Sequence, residues 1–159
     1  MKKILLCVLL FTLLFSGAVF AEGTAVGLAA TFSMPFSGGD GSPGVIALLK
    51  LPSIPVMLGF GGTLGDVTNF YIKADWWLYQ GHLGGPFGLY AGLGAYTVIS
   101  DNFEIGGRIP IGINFFALKN LLEVFLEPSI TIGVGGIGGE SLNFPVIGFV
   151  GELGVRFWF

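Results

Sequence analysis

The chain has 159 residues, enough for one domain, and only 11% of them are charged. Acidic residues outnumber basic ones ten to seven, which disfavours nucleic acid, whose phosphates need a basic surface. Cys7 is the single cysteine, which excludes a disulfide framework and leaves no cysteine-based metal or thiol chemistry downstream of it.

Lys2 and Lys3 precede an apolar run and the small-residue exit Ala18-Val19-Phe20-Ala21. This is the pattern of a secretory signal peptide over residues 1–21, with cleavage expected after Ala21 and a barrel domain over residues 22–159. Ile4–Phe20 also approaches the length of an anchor helix, but its short apolar core favours the removable reading. Loss of residues 1–21 would leave five basic and ten acidic residues, a net charge of −5. Beyond this segment Gly and Pro interrupt each apolar run, so no second membrane helix is expected. An apolar chain without spanning helices is either a greasy soluble β-protein or a barrel with an apolar exterior. The 28 glycines suit a small barrel, whose interior has little room per residue.

Eight strand segments follow. Thr24–Phe36 sets Val26, Leu28, Ala30, Phe32, Met34 and Phe36 against Ala25, Gly27, Ala29, Thr31 and Ser33. That two-residue period marks a strand with two different faces. Ser37–Pro43 is turn chemistry, Gly44–Leu51 is the second strand, and Pro52 and Pro55 force a break. Val56–Leu64 is the third strand, with Gly65–Thr68 as the turn after it. Asn69–Gln80 places Phe70, Ile72, Ala74, Trp76 and Leu78 on the apolar face, and Gly81–Pro86 is the next predicted turn. Phe87–Val98 and Phe103–Phe115 alternate in the same way, joined through Ser100-Asp101-Asn102. The seventh segment, Leu121–Val134, follows a turn at Phe116–Asn120. Leu118, Leu121, Leu122, Phe125 and Leu126 also fit helical spacing, but a helix there would leave an unpaired edge in lipid, which favours a strand. Pro110 and Pro128 fall inside strands, where the missing N–H predicts bulges. The Gly-rich Gly135–Pro145 leads to the closing segment, Val146–Phe159. Phe157 and the terminal Phe159 resemble the insertion signal that ends the last strand of bacterial outer-membrane barrels.

The charges sort by face. Asp40, Asp66, Asp101 and Glu140 fall in four different connections at one end, the outer end if the termini are periplasmic. Lys119 and His82 fall in turns at the opposite end. Lys73, Asp75, Glu104, Arg108, Glu123, Glu127, Glu152 and Arg156, with Lys50, lie on the small-residue face, and the apolar faces carry no charge. This predicts an eight-stranded antiparallel up-and-down transmembrane β-barrel with apolar residues to lipid and a lumenal polar network. An eight-stranded barrel fills its lumen with side chains, so those charges must satisfy one another. The hairpin through Phe116–Lys119 places Arg108 opposite Glu127, and Tyr71, Tyr79, Tyr90 and Tyr96 are read as lumenal. Ion pairs that merely fill the lumen and a gated, ligand-conducting lumen both fit this pattern. Trp76-Trp77 and Phe115-Phe116 fall at inner strand ends, where aromatic girdles belong.

Catalytic chemistry is not expected. His82 is the single histidine, has no Ser or Asp close in sequence, and is read as a turn residue. Gly133–Gly138 matches GxGxxG without a following helix, so it is read as a flexible loop and not a dinucleotide site. No cofactor or metal is expected.

Arg108-Ile109-Pro110-Ile111-Gly112 followed by Val124-Phe125-Leu126-Glu127-Pro128 resembles a paired motif of small spirochaetal outer-membrane proteins, grouped with OmpA-like transmembrane barrels. Ala74–Leu78 and Gly88–Gly94 are similar to that family's middle strands. The resemblance implies a surface-exposed barrel in a family some of whose members are suspected of binding host proteins, and it supplies no active site. Partners expected on this reading are outer-membrane lipid, the barrel-assembly machinery and a host or other extracellular protein, with no nucleic acid. The alternatives are an OmpW-like channel for small hydrophobic molecules and a secreted, soluble, lipid-binding β-barrel.

Overall fold

The computed structural model describes residues 23–36, 41–64, 69–100, 103–137 and 141–159. The predicted signal peptide with its Ala21 cleavage site, and Asp40, Asp66, Asp101 and Glu140, lie outside the described residues. Among the described residues there are eight strands: β1 (Ala25–Pro35), β2 (Ser42–Lys50), β3 (Val56–Thr63), β4 (Phe70–Gly84), β5 (Phe87–Ile99), β6 (Phe103–Ala117), β7 (Leu122–Ile137) and β8 (Asn143–Trp158). Each pairs antiparallel with its sequence neighbour, and β1 pairs with β8 to close the ring. The seventh segment is a strand, and closure leaves no open sheet edge between first and last strands.

The up-and-down order puts the β1–β2, β3–β4, β5–β6 and β7–β8 connections at one end, and the start of β1 and the end of β8 at the other. The seam is tied at its last residue. Gly23 N–H donates to the Phe159 carbonyl at 2.6 Å, and Phe159 N–H donates to the Thr24 carbonyl at 2.9 Å.

The outward face is apolar over its whole circumference. Leu28, Phe60, Leu93, Ile109, Leu126, Ile130 and Leu153 are each at least half exposed. Water would not tolerate that belt, and a hydrocarbon surround matches it. The inward face has its own steric logic. A side chain at Gly94 would overlap the Asp75 carboxylate, and one at Gly112 would overlap the Tyr90 ring. Those two glycines give their volume to larger side chains from neighbouring strands.

Several sequence expectations are corrected. No register shift occurs at Pro110 or Pro128: Pro110 pairs with Ser129, and Pro128 with Gly151. The pairing instead skips Ile111 and Gly112 and resumes at Ile113 and Leu126 in unchanged register, so the missing donors open a gap and not a bulge. The shifts lie elsewhere, between Trp77 and Tyr79, His82 and Gly84, Phe103 and Ile105, and Gly133 and Gly135. The first of these turns Tyr79 outward, 55% exposed, so it is not lumenal. Trp77 is inside and 6% exposed, so only Trp76 of that pair belongs to an outer girdle.

Two segments read as turn or loop are strand. β4 runs through Gly81, His82 and Leu83 to Gly84, so His82 is an exposed strand residue and not a turn residue. The turn that follows is carried by Gly85, whose φ of 57° suits glycine. Gly133–Ile137, the described part of the GxGxxG stretch, belongs to β7 and is not a flexible loop. The β6–β7 turn lies at Leu118–Leu121, and Leu118, Lys119 and Asn120 all take left-handed conformations. A hairpin turn moved by about two residues moves each partner by about four. Arg108 therefore stands opposite Thr131, not opposite Glu127.

Ile109 points outward near the middle of β6. Replacing it with arginine should hinder folding into lipid vesicles by about 2–4 kcal/mol at mid-depth. Normal vesicle folding of Ile109→Arg would mean that the two faces are reversed.

Candidate functional site

The lumen is organised by side chains from four strands. Lys73 and Asp75 project inward from β4, Arg108 from β6, Glu123 and Glu127 from β7, and Glu152 and Arg156 from β8. All seven are at most 2% exposed. On neighbouring strands Glu123 stands opposite Arg156, a favourable cross-strand pair. Glu127, however, stands directly opposite Glu152, a like-charge pair that is unfavourable without counter-ions.

Two cations supply them, Lys73 from the far wall and Arg108 from β6, beside β7. Lys73 Nζ lies 3.0 Å from Glu127 and 2.7 Å from Glu152, and 3.0 Å from Asp75 on its own strand. β4 and β8 are on opposite sides of the eight-strand ring, so the Lys73–Glu152 contact is a strut across the lumen. Arg108 reaches Glu127 at 2.9 Å through one terminal nitrogen and Glu152 at 3.0 Å through the other. Its Nε lies 3.2 Å from Asp75, passing over Gly94, which pairs with both residues on the intervening strand. Arg156 completes the network with Glu123 at 2.8 Å and Glu127 at 3.3 Å.

Neutral side chains fill most of the remaining hydrogen-bonding capacity. The Tyr90 hydroxyl donates to Glu127 at 2.6 Å and accepts from Arg156 at 3.0 Å. Arg108 donates to the Tyr71 hydroxyl and to Ser129 Oγ. Glu123 accepts from Asn114 at 2.8 Å and from Trp158 Nε1 at 2.7 Å. The Arg156 guanidinium lies 3.5 Å from the Phe125 ring centroid and 5.1 Å from that of Trp77. Such packing is what makes a buried charge tolerable, because attraction alone rarely outweighs desolvation.

Of the eight lumenal charges read from sequence, seven form this one network. Glu104 stands apart, half-buried on β6, where it accepts from the Tyr96 hydroxyl. Lys50 lies at the rim where β1 starts and β8 finishes, with Nζ 3.5 Å from the Gly23 carbonyl and 5.6 Å from the Trp158 ring centroid. The predicted Arg108–Glu127 contact exists, but it is made by side-chain reach and not by backbone register. Sequence reasoning missed Ile46 and Leu48, which join Met57 and Phe125 in an apolar part of the lumen where each is at most 2% exposed. It also missed Asn114, Ser129 and Trp158 as network partners. They share the inward rows of Arg108, Glu127 and Arg156, and that was the available signal.

The network divides the lumen into two vestibules. The one at the four-connection end holds about 220 Å³; its wall is mostly apolar, with Met34, Ile46, Val98 and Val150 among its residues, and also carries hydroxyl-bearing side chains, Asn69 and Glu104. The one at the end where β1 starts and β8 finishes holds about 540 Å³ and is lined by Trp77, Tyr90, Phe116 and Trp158 together with Gln80, His82 and Asn120. Among the described residues no group of three acidic, histidine or cysteine side chains could hold a metal ion.

No protein-family model and no curated protein sequence matches the chain. Among solved structures it is similar to Neisserial surface protein A, with 16% identity and a TM-score of 0.50 over 86% of this chain and 96% of that one. It is also similar to the N-terminal β-barrel domain of Pseudomonas aeruginosa OprF, with 16% identity and a TM-score of 0.41 over 87% and 98% of the two chains. The likeness to the neisserial protein covers the whole ring. The fold is thus an eight-stranded transmembrane β-barrel.

Arg108 touches three carboxylates, so Arg108→Leu should destabilise the folded barrel by about 3–5 kcal/mol, the usual loss when a buried charge is stranded. Combining Arg108→Leu with Glu127→Gln should restore only part of this, since Asp75 and Glu152 still lose a partner. Urea titration of vesicle-folded protein measures both. Complete recovery in the double variant would reduce the network to a simple pair.

Proposed function

We propose that this chain is an outer-membrane barrel with a structural or surface-interaction role and no catalysis, its termini in the periplasm and its four-connection end outside the cell. The observation that carries the reading is the division of the ring. An unbroken apolar belt lies outside, and seven mutually paired charges fill the interior. A filled lumen favours a barrel that acts through its exposed end over an OmpW-like channel. The exterior argues against a soluble lipid-binding barrel.

The absence of catalysis is supported by how the ionisable groups are used. Each buried carboxylate and cation is paired with at least one opposite charge, and His82 sits exposed on an inner strand end. A general acid or nucleophile needs a partner that leaves it reactive, not one that saturates it. Surface interaction is supported by the resemblance of Arg108–Gly112 and Val124–Pro128 to the spirochaetal outer-membrane proteins, so the partner class is an extracellular, host-derived protein. Phe157 and Phe159 would serve as the signal read by the barrel-assembly machinery. Phe157 points outward, and Phe159 ties the seam.

The test is fractionation with topology. The mature protein should sediment with outer membrane and migrate differently in detergent before and after heating. An epitope inserted after Gly39 or Gly139 should be detected on intact cells, and one after Gly84 only once the membrane is opened. A water-soluble monomer would refute the reading, and the reverse epitope pattern would invert the barrel.

A further inference from the structure

We propose that the outer vestibule is a receptor pocket for a small organic ammonium ion, held through Glu104. Thr31, Ser33, Tyr71, Tyr96 and Thr131 contribute to its wall, and Glu104 is its one charged lining residue among those described. At about 220 Å³ it is smaller than the roughly 300–1,000 Å³ of a drug-sized site, so it suits a compact ligand.

The charge balance sets the ligand's sign. The buried network contains three cations, Lys73, Arg108 and Arg156, against four carboxylates, Asp75, Glu123, Glu127 and Glu152. It is one positive charge short. Glu104 adds a further carboxylate on the outer side, where its hydrogen bond comes from the neutral Tyr96 hydroxyl. Arg108 and Lys73 beneath the vestibule are committed to Asp75, Glu127 and Glu152, and Lys50 lies at the opposite rim. A low-dielectric cup with excess negative charge concentrates cations.

The wall sets the ligand's type. A divalent metal would seek several carboxylates, and this cup offers one. An ammonium group needs acceptors for three N–H donors; the Glu104 carboxylate offers lone pairs for them, and the Thr31 and Ser33 hydroxyls share the same wall. The Tyr71 and Tyr96 rings, with centroids 6.0 Å apart, add aromatic surface that attracts an organic cation. The four connections at this end also carry Asp40, Asp66, Asp101 and Glu140 with no lysine or arginine in the sequence, which would draw cations non-specifically. The experiment must separate that general attraction from the pocket.

Titrate the whole barrel, folded in a zwitterionic detergent, by calorimetry with 1,4-diaminobutane and with the neutral butane-1,4-diol. The diamine should saturate a single site and the diol should not bind. Glu104→Gln should weaken the diamine roughly tenfold or more, in line with loss of a hydrogen bond to a charged group. Glu104→Asp, which keeps the charge on a shorter side chain, should fall between that variant and the wild type, and each variant is first checked for heat-modifiable migration. Equal binding of diol and diamine would overturn the proposal. So would undiminished diamine binding by Glu104→Gln, which would assign the affinity to the acidic connections. If Glu104→Gln does not fold, Glu104→Asp decides: wild-type affinity in that variant overturns the proposal.

Discussion

Glu127 and Glu152 stand directly opposite each other on adjacent strands, inside a space that bulk water does not fill. Two carboxylates so placed would repel each other across the β7–β8 ladder. They are held by Lys73, which reaches across from the opposite side of the ring, and by Arg108 on β6, the strand beside β7. The same contacts that neutralise the pair also connect β4 and β6 to β7 and β8. The ring is thus braced through its centre as well as hydrogen-bonded around its wall.

This bracing depends on backbone choices that carry no charge. Gly94 lets Arg108 Nε approach Asp75 across β5, and Gly112 leaves room for Tyr90, whose hydroxyl bridges Glu127 and Arg156. Ile46, Leu48 and Met57 close the side of the lumen that lacks charges. The result is a polar half and an apolar half packed against each other, with the Phe125 ring under the Arg156 guanidinium at their border. Buried ion pairs are a weak source of net stability, but losing one member is strongly unfavourable, so such a network fixes register more than it adds stability.

Much of this was legible in the sequence because a half-lipid, half-lumen strand leaves a two-residue period. β1, β5, β6 and β8 show that period clearly, and the charges fell on the inward rows as expected. β2 reads Val45-Ile46-Ala47-Leu48-Leu49, apolar on both faces, so its inward Ile46 and Leu48 were invisible to an alternation test. The bulge after Trp77 reverses the phase of β4, which sent Tyr79 outward against the pattern. The β6–β7 turn uses Leu118, Lys119 and Asn120 in left-handed conformations without a glycine, so no turn signal marked its position. The network's membership was readable, since inward rows can be listed strand by strand. Its cross-lumen partners, such as Lys73 with Glu152, were not, because contacts across the lumen leave no trace in the pairing of neighbouring strands.

The central claim is that the crossed ion pairs and their apolar neighbours close the lumen. Single-channel recording of the purified wild-type barrel in planar lipid bilayers tests it directly. A closed lumen should give no steady conductance above the bilayer baseline, at either polarity. A stable, reproducible open level from the wild-type protein would mean that ions pass where Lys73, Arg108 and Glu152 are in contact, and it would contradict the claim.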